Sequence, residues 1–164
     1  MQPNEVRIIV PEPHYTLFNT TRDELPEIIV VNDALLAFAH ADIFPWYLKI
    51  TIEAHNLIEN GMPTEDESRL LFDIGDAIEE AILGGRTEQH NGKNALFLAR
   101  STWNALRELR YQVHDPEIAD KALRLLLDER EWERPWCYEM KGDEAWESAG
   151  FVFQLFPMAH GCDA

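Results

Sequence analysis

The stretch Trp46-Tyr47-Leu48-Lys49-Ile50-Thr51-Ile52-Glu53-Ala54-His55 alternates along its whole length. Trp46, Leu48, Ile50, Ile52 and Ala54 fall on one side; Tyr47, Lys49, Thr51, Glu53 and His55 fall on the other. Period two with β-branched residues predicts a strand with one buried face. Asn60-Gly61 and Pro63 then break the chain. Thr64-Glu65-Asp66-Glu67 has the form of a capping box, in which the hydroxyl and the carboxylate satisfy free amides of a new helix. Leu70, Ile74, Ile78 and Ile82 follow at spacing four, with Leu71, Ala77 and Ala81 beside them, and Gly84-Gly85 ends the helix.

Beyond that stop, Ala95 to Thr102 and Leu106 to Val113 read as two strands, with Asn104 in the turn between them. Asp115-Pro116-Glu117 opens a second helix, with the Asp as cap and the Pro in the first turn. Ile118, Ala119, Ala122, Leu123 and Leu126 form its buried stripe. Pro135 to Met140 gives a last strand, with Trp136, Tyr138 and Met140 on one side. The order is β-α-β-β-α-β, the ferredoxin-like split pattern. It predicts an antiparallel sheet with both helices on one face. The first and third of these strands are expected side by side in the centre, running parallel.

Around this core, residues 46–141, the sequence predicts an N-terminal α/β extension over residues 1–45 and a short helix with a tail over 142–164, all within one α+β domain. In the extension, Glu5 to Val10, Tyr15 to Phe18 and Ile28 to Val31 read as strands. Asn32 or Asp33 caps a short helix from Ala34 to Ala41, which ends before Pro45. The segment is expected to cover part of the domain surface. Asp143 to Phe156 reads as a short last helix, anchored by Trp146, Phe153 and Phe156, with a strand at Phe151-Val152-Phe153 as the alternative.

The 164 residues carry 30 acidic and 14 basic side chains, a formal charge of −16. Such a surface repels phosphate backbones, which argues against nonspecific nucleic-acid binding. No apolar run reaches the ~18 residues of a membrane span, and the first residues lack the pattern of a signal peptide. Cys137 and Cys162 form no CxxC pair, so a reduced, cytoplasmic protein is expected. The charge is also uneven. From Arg86 to His114 the bases Arg86, Lys93, Arg100, Arg107 and Arg110 face only Glu88 and Glu108, a net +3; the helix from Thr64 to Ile82 is net −6. Such separation steers partners or self-association.

Several short motifs resemble the bacterial family of unknown function DUF695. They are Asn60-Gly61-Met62-Pro63 before the acidic helix, Arg107 to Tyr111 followed by His114-Asp115, Asp143-Glu144-Ala145-Trp146 after the last strand, and Leu155-Phe156-Pro157 at the close. The resemblance spans about residues 27 to 157. It implies a small acidic regulatory protein, because some members look fused to a domain similar to RraB, a protein inhibitor of ribonuclease E. It carries over no catalytic residue.

The candidate binding residues are Lys49, Glu53, His55, Trp103, Arg107, Arg110, Gln112 and His114. Lys49, Thr51, Glu53, Arg110 and Gln112 point away from the helices and make a polar docking face; an N-terminal covering with a Glu53–Arg110 pair is the structural alternative. Trp103, beside the turn, is an interface candidate. His55 and His114 are expected at the same end of neighbouring strands, with Glu53 and Asp115 nearby, as a metal set or acid/base pair for a hydrolase. No HxH or HExxH spacing supports that set, no GxSxG elbow is present, and Gly84-Gly85-Arg86 is a helix stop rather than a phosphate loop. No cofactor is expected. A protein-binding or regulatory domain is therefore the favoured reading, for instance an acidic domain occupying a basic channel on an enzyme. A metal-binding protein or hydrolase is the alternative, and a homodimer through the sheet or Trp103 a third.

Overall fold

The computed structural model describes residues 10–84 and 92–156. It is a mixed α/β structure with a six-stranded sheet and three helices. The strands are β1 (Tyr15–Arg22), β2 (Leu25–Asn32), β3 (Trp46–Glu53), β4 (Ala95–Trp103), β5 (Leu106–Val113) and β6 (Trp136–Gly142). The helices are α1 (Glu65–Leu83), α2 (Pro116–Glu129) and α3 (Glu147–Phe153). The sheet order is β1-β2-β4-β5-β3-β6, and every neighbouring pair is antiparallel.

The alternation of β3 is realised as expected. Leu48, Ile50 and Ile52 pack with Leu71, Ile74, Ile78 and Ile82 of α1 and with Ala119 and Leu123 of α2. The buried stripe of α1 runs through Leu71, while Leu70 lies half-buried beside it. Asp115 caps α2 by accepting the Glu117 amide at 2.9 Å, and Pro116 sits in the first turn.

Three expectations are corrected. First, β3 and β5 are neighbours but run antiparallel, with Lys49 opposite Arg110 and Glu53 opposite Leu106. A helical crossover preserves strand direction, and the tight β4–β5 turn then reverses it. Second, the expected N-terminal cover is supplied mainly by residues 33–44; β1 and β2 instead lengthen the sheet, joining the β4 edge as a hairpin. Third, Ala34 to Ala41 is not an α-helix but two 3₁₀ turns, Asp33–Leu35 and Ala41–Ile43. So short an apolar segment cannot offset helix nucleation. The tight turns instead place Leu35, Phe38, Ile43 and Phe44 against the sheet. Of the strand expected at Glu5 to Val10, all but Val10 lies outside the described residues.

The sheet is thus packed on both faces. Opposite α1 and α2, a second core gathers Ile29, Val31, Leu35, Phe44, Leu96, Leu98, Trp146, Ala149 and Val152. Two carbonyl bonds pin it: Phe44 O accepts the Trp146 indole N–H at 2.9 Å and the Gln112 amide at 3.2 Å. Burial on both sides explains the unbroken apolar run Ala95 to Ala99. Within that run the ladder with β5 slips. Phe97 pairs with Tyr111 and Ala99 with Arg110, leaving Leu98 as an extra residue. Ahead of the bulge, odd-numbered residues face the helices; beyond it, even-numbered residues do.

Both hairpin turns use left-handed non-glycine residues: Asp23 and Glu24 (φ 52° and 67°), and Asn104 and Ala105 (φ 41° and 69°). Two successive left-handed residues match strand twist but strain an L side chain. Glu24 is exposed, so Glu24→Gly should raise stability by about 0.5–1 kcal/mol. A thermal melt checks this, with an expected gain of about 2 °C.

Candidate functional site

Alternation in β3 and β5 turns Lys49 and Tyr47, with Glu108, Arg110 and Gln112, away from α1 and α2. Helix α3 and the 3₁₀ segment cover this outer face at the end of Gln112, which is fully buried. Beyond that cover lies an open cleft of about 490 Å³, bordered by Arg22, Tyr47, Lys49, Glu108, Arg110, Glu139 and Lys141, with Ser148 and Phe151 from α3. Four cations face two carboxylates there, on a chain whose net charge is −16.

Glu108 organises the floor. It accepts from Arg110 Nη2 at 3.2 Å and from Arg22 Nη2 at 3.3 Å, and Lys49 Nζ lies 3.7 Å away. Arg22 also meets buried Glu27 at 3.1 Å, and its guanidinium lies 3.8 Å over the Trp103 ring. Ser101 donates to Glu27. Lys49 reaches Glu139 at 3.3 Å. Arg110 Nε donates to the Tyr47 hydroxyl at 2.9 Å. Burial raises the Tyr47 pKa, opposed by the neighbouring Arg110 charge, so the phenol stays neutral at physiological pH. Two donors are unanswered, Arg22 Nε and Arg110 Nη1, and Arg110 is only 6% exposed. Buried polar atoms of this kind are uncommon and call for an explanation. A guanidinium held by two fixed bonds, with a third donor free at a cleft, is suited to a carboxylate or phosphate oxygen.

Of the residues expected on the docking face, Lys49, Arg110 and Gln112 share one region, and Arg110 pairs with Glu108 rather than with Glu53. Glu53 is exposed at the far end of β3. Trp103 is half-buried on the same face as the cleft, and its indole N–H donates to Arg22 O at 2.7 Å. Arg107 is not part of this cleft; it points to the helix side.

The histidine set does not assemble. Trp46 pairs with Val113 and Glu53 with Leu106, so His114 and His55 lie at opposite ends of the sheet. At least seven strand steps separate them, ~24 Å. His114 Nδ1 lies 2.7 Å from Ile43 O, and the His55 amide donates to Glu67 at 2.7 Å. Asp115 is occupied as the α2 cap. Among the described residues, no three His, Cys, Asp or Glu side chains converge as a metal set.

Sequence reading missed Arg22, Tyr47, Glu139 and Lys141 as cleft residues and treated Glu108 only as a counter-charge. Glu108 and Lys141 were within reach. Glu108 shares Arg110's side by alternation, and Lys141 lies opposite Tyr47 once β6 pairs with β3. Arg22 was not, because nothing local to β1 shows that its hairpin joins β4.

Among the described residues, no helix is long and apolar enough to cross a membrane. No curated protein and no solved structure matches the chain. The family described as a family of unknown function, DUF695, matches residues 14–152, which takes in all six strands and nearly all of α3. The chain belongs to the DUF695 family.

Proposed function

We propose that this chain is a non-enzymatic protein-binding domain of regulatory type, acting in the cytoplasm, whose outer-face cleft receives an anionic group presented by its partner. The observation that carries this is the free Nη1 of Arg110, buried beside Lys49 and Arg22. Arg110 is oriented by Tyr47 and Glu108 before any ligand arrives, so little ordering is required on binding. The overall acidity repels anions at other surfaces, which makes the cationic cleft selective. The segment from β3 to β6 is read as a ferredoxin-like unit. Its strand order β4-β5-β3-β6 and its two helices on one face support that reading.

The test is affinity purification from the native cell at low salt, followed by a salt gradient. A specific partner should be retained by the wild-type chain and released as salt rises. Arg110→Met should weaken retention about tenfold or more, since a hydrogen bond to a charged group contributes about 1.5–3 kcal/mol. Equal retention by the variant, or no enriched protein at low salt, would defeat the proposal.

A further inference from the structure

The opposite face of the sheet holds a second concavity. Helices α1 and α2 cover the region from β4 to β6 and stop short of the β1–β2 hairpin. Leu17 remains 56% exposed there, with Ile28 and Val30 half-buried beside it. These residues form one side of a groove of about 400 Å³, whose other side is Phe72 and Ser68 of α1 with Met62 and Pro63. The volume falls within the range of small-molecule sites.

Two arginines reach this groove from the strands. Arg107 comes from β5 by plain alternation. Arg100 comes from β4 because of the bulge: with regular pairing it would share the side of Leu96. Both guanidiniums lie over the Phe72 ring, at 4.5 and 4.8 Å from its centroid. Neither has an acid within contact ion-pair distance among the described residues; the charges of Glu79 and Asp76 act on Arg100, whereas no acid offsets the burial of Arg107. Arg107 is 4% exposed; its Nε donates to Thr102 Oγ1 at 3.1 Å, and its Nη1 has no partner. Burial, and secondarily the charge of Arg100, lower its pKa to about 10. A small chamber below, about 30 Å³, continues from the groove and shares Phe72, Arg100 and Arg107 with it. The Tyr111 hydroxyl borders that chamber, buried and without a partner. Asp76 and Glu79 also border it; burial, then the charge of Asp76, raises the Glu79 pKa.

A buried cation with no counter-ion is costly, and a fold gains nothing from keeping one uncompensated. Two hydrogen-bond donors, Arg107 Nη1 and the Tyr111 hydroxyl, therefore lie unanswered beneath an apolar groove, with Arg100 beside them. A carboxylate has two oxygens with about four lone-pair sites, which suits two guanidiniums and one phenol. The exposed leucine and the half-buried Ile28 and Val30 suit an apolar body.

We infer that the groove between α1 and the β1–β2 hairpin binds an amphipathic organic carboxylate, its head group on Arg107 and Arg100 and its apolar body along Leu17, Ile28 and Val30. This site lies on the other face from the cleft and stands independently of it.

Calorimetric titration of the full chain with sodium octanoate tests it, with 1-octanol as the uncharged counterpart. One octanoate should bind per chain, about tenfold or more tighter than 1-octanol. Arg107→Met should reduce octanoate binding about tenfold or more, leave 1-octanol unchanged, and melt at or above the parent temperature, since it removes an unpaired buried charge. Leu17→Asp, at an exposed position, should also weaken octanoate while leaving the melt near that of the parent. Several results would overturn the inference: no saturable octanoate binding, equal affinity for the alcohol, unchanged binding by Arg107→Met, or a lowered melting temperature in that variant.

Discussion

Replacing Glu67 with alanine should destabilise the domain by about 3 kcal/mol or more at neutral pH, the scale for breaking a buried ion pair. Glu67 is 1% exposed. Its two oxygens accept from Arg134 Nη2 and Nε, each at 2.6 Å. The His55 amide donates to it at 2.7 Å and the Asn56 side chain at 3.2 Å. It therefore joins the start of α1 to the end of β3 and to the loop before β6. The Arg134 hydrogen bond, with the other donors helping and burial opposing, lowers its pKa to about 2 from an ordinary 4.5. The sign follows: a carboxylate acidified by folding stabilises the native state fully above about pH 4.5. That contribution is lost as pH falls toward about 2. Urea unfolding at pH 7, 4 and 2.5 should show the wild-type advantage over Glu67→Ala shrinking across that window. A gap independent of pH would refute the assignment.

Phe44→Ala should cost about 3–5 kcal/mol, the usual range for emptying a fully buried Phe position. Phe44 is 0% exposed at the centre of the second core. Its ring lies 6.0 Å from Phe38 and 6.3 Å from His114, and its carbonyl is the acceptor for Gln112 and Trp146. Loosening it should free α3, which carries Ser148 and Phe151 at the cleft wall. Denaturant unfolding gives the loss. Hydrogen exchange should show α3 deprotected more than α1. If α1 and α3 lost protection equally, the second core would not act independently of the first.

The Glu67 result bears on what could be read from the residues. The four elements of the capping signature were visible, and Thr64 does accept the Glu67 amide at 3.2 Å. Yet the Glu67 carboxylate does not return to the cap, and the Thr64 amide donates to Asn56 O instead. The spacing of Glu67 from Leu71, Ile74 and Ile78 already places it on the buried stripe. Its partner Arg134 lies 67 residues away, and no local pattern links them. Element order from Trp46 to Met140 was legible because each period is local. Strand direction was legible too, but only from the connections: one crossover and one tight turn make β3 and β5 antiparallel. Reading them as parallel is what brought His55 and His114 falsely together. The second core was hinted at by Ala95 to Ala99, apolar on both sides of the pleat. The residues covering it come from segments too irregular to show a period.

The surplus residue in β4 has a practical consequence for anyone altering this chain. In an ordinary strand, excising one position inverts all that follows and exposes the interior. Here, cutting out Leu98 would restore simple parity while leaving Arg100 and Thr102 aimed as they are, at the loss of one interior leucine. Length variation among relatives should therefore be tolerated at this position far better than at Leu109, where a missing residue would put Arg107 and Arg110 on the same face of the sheet.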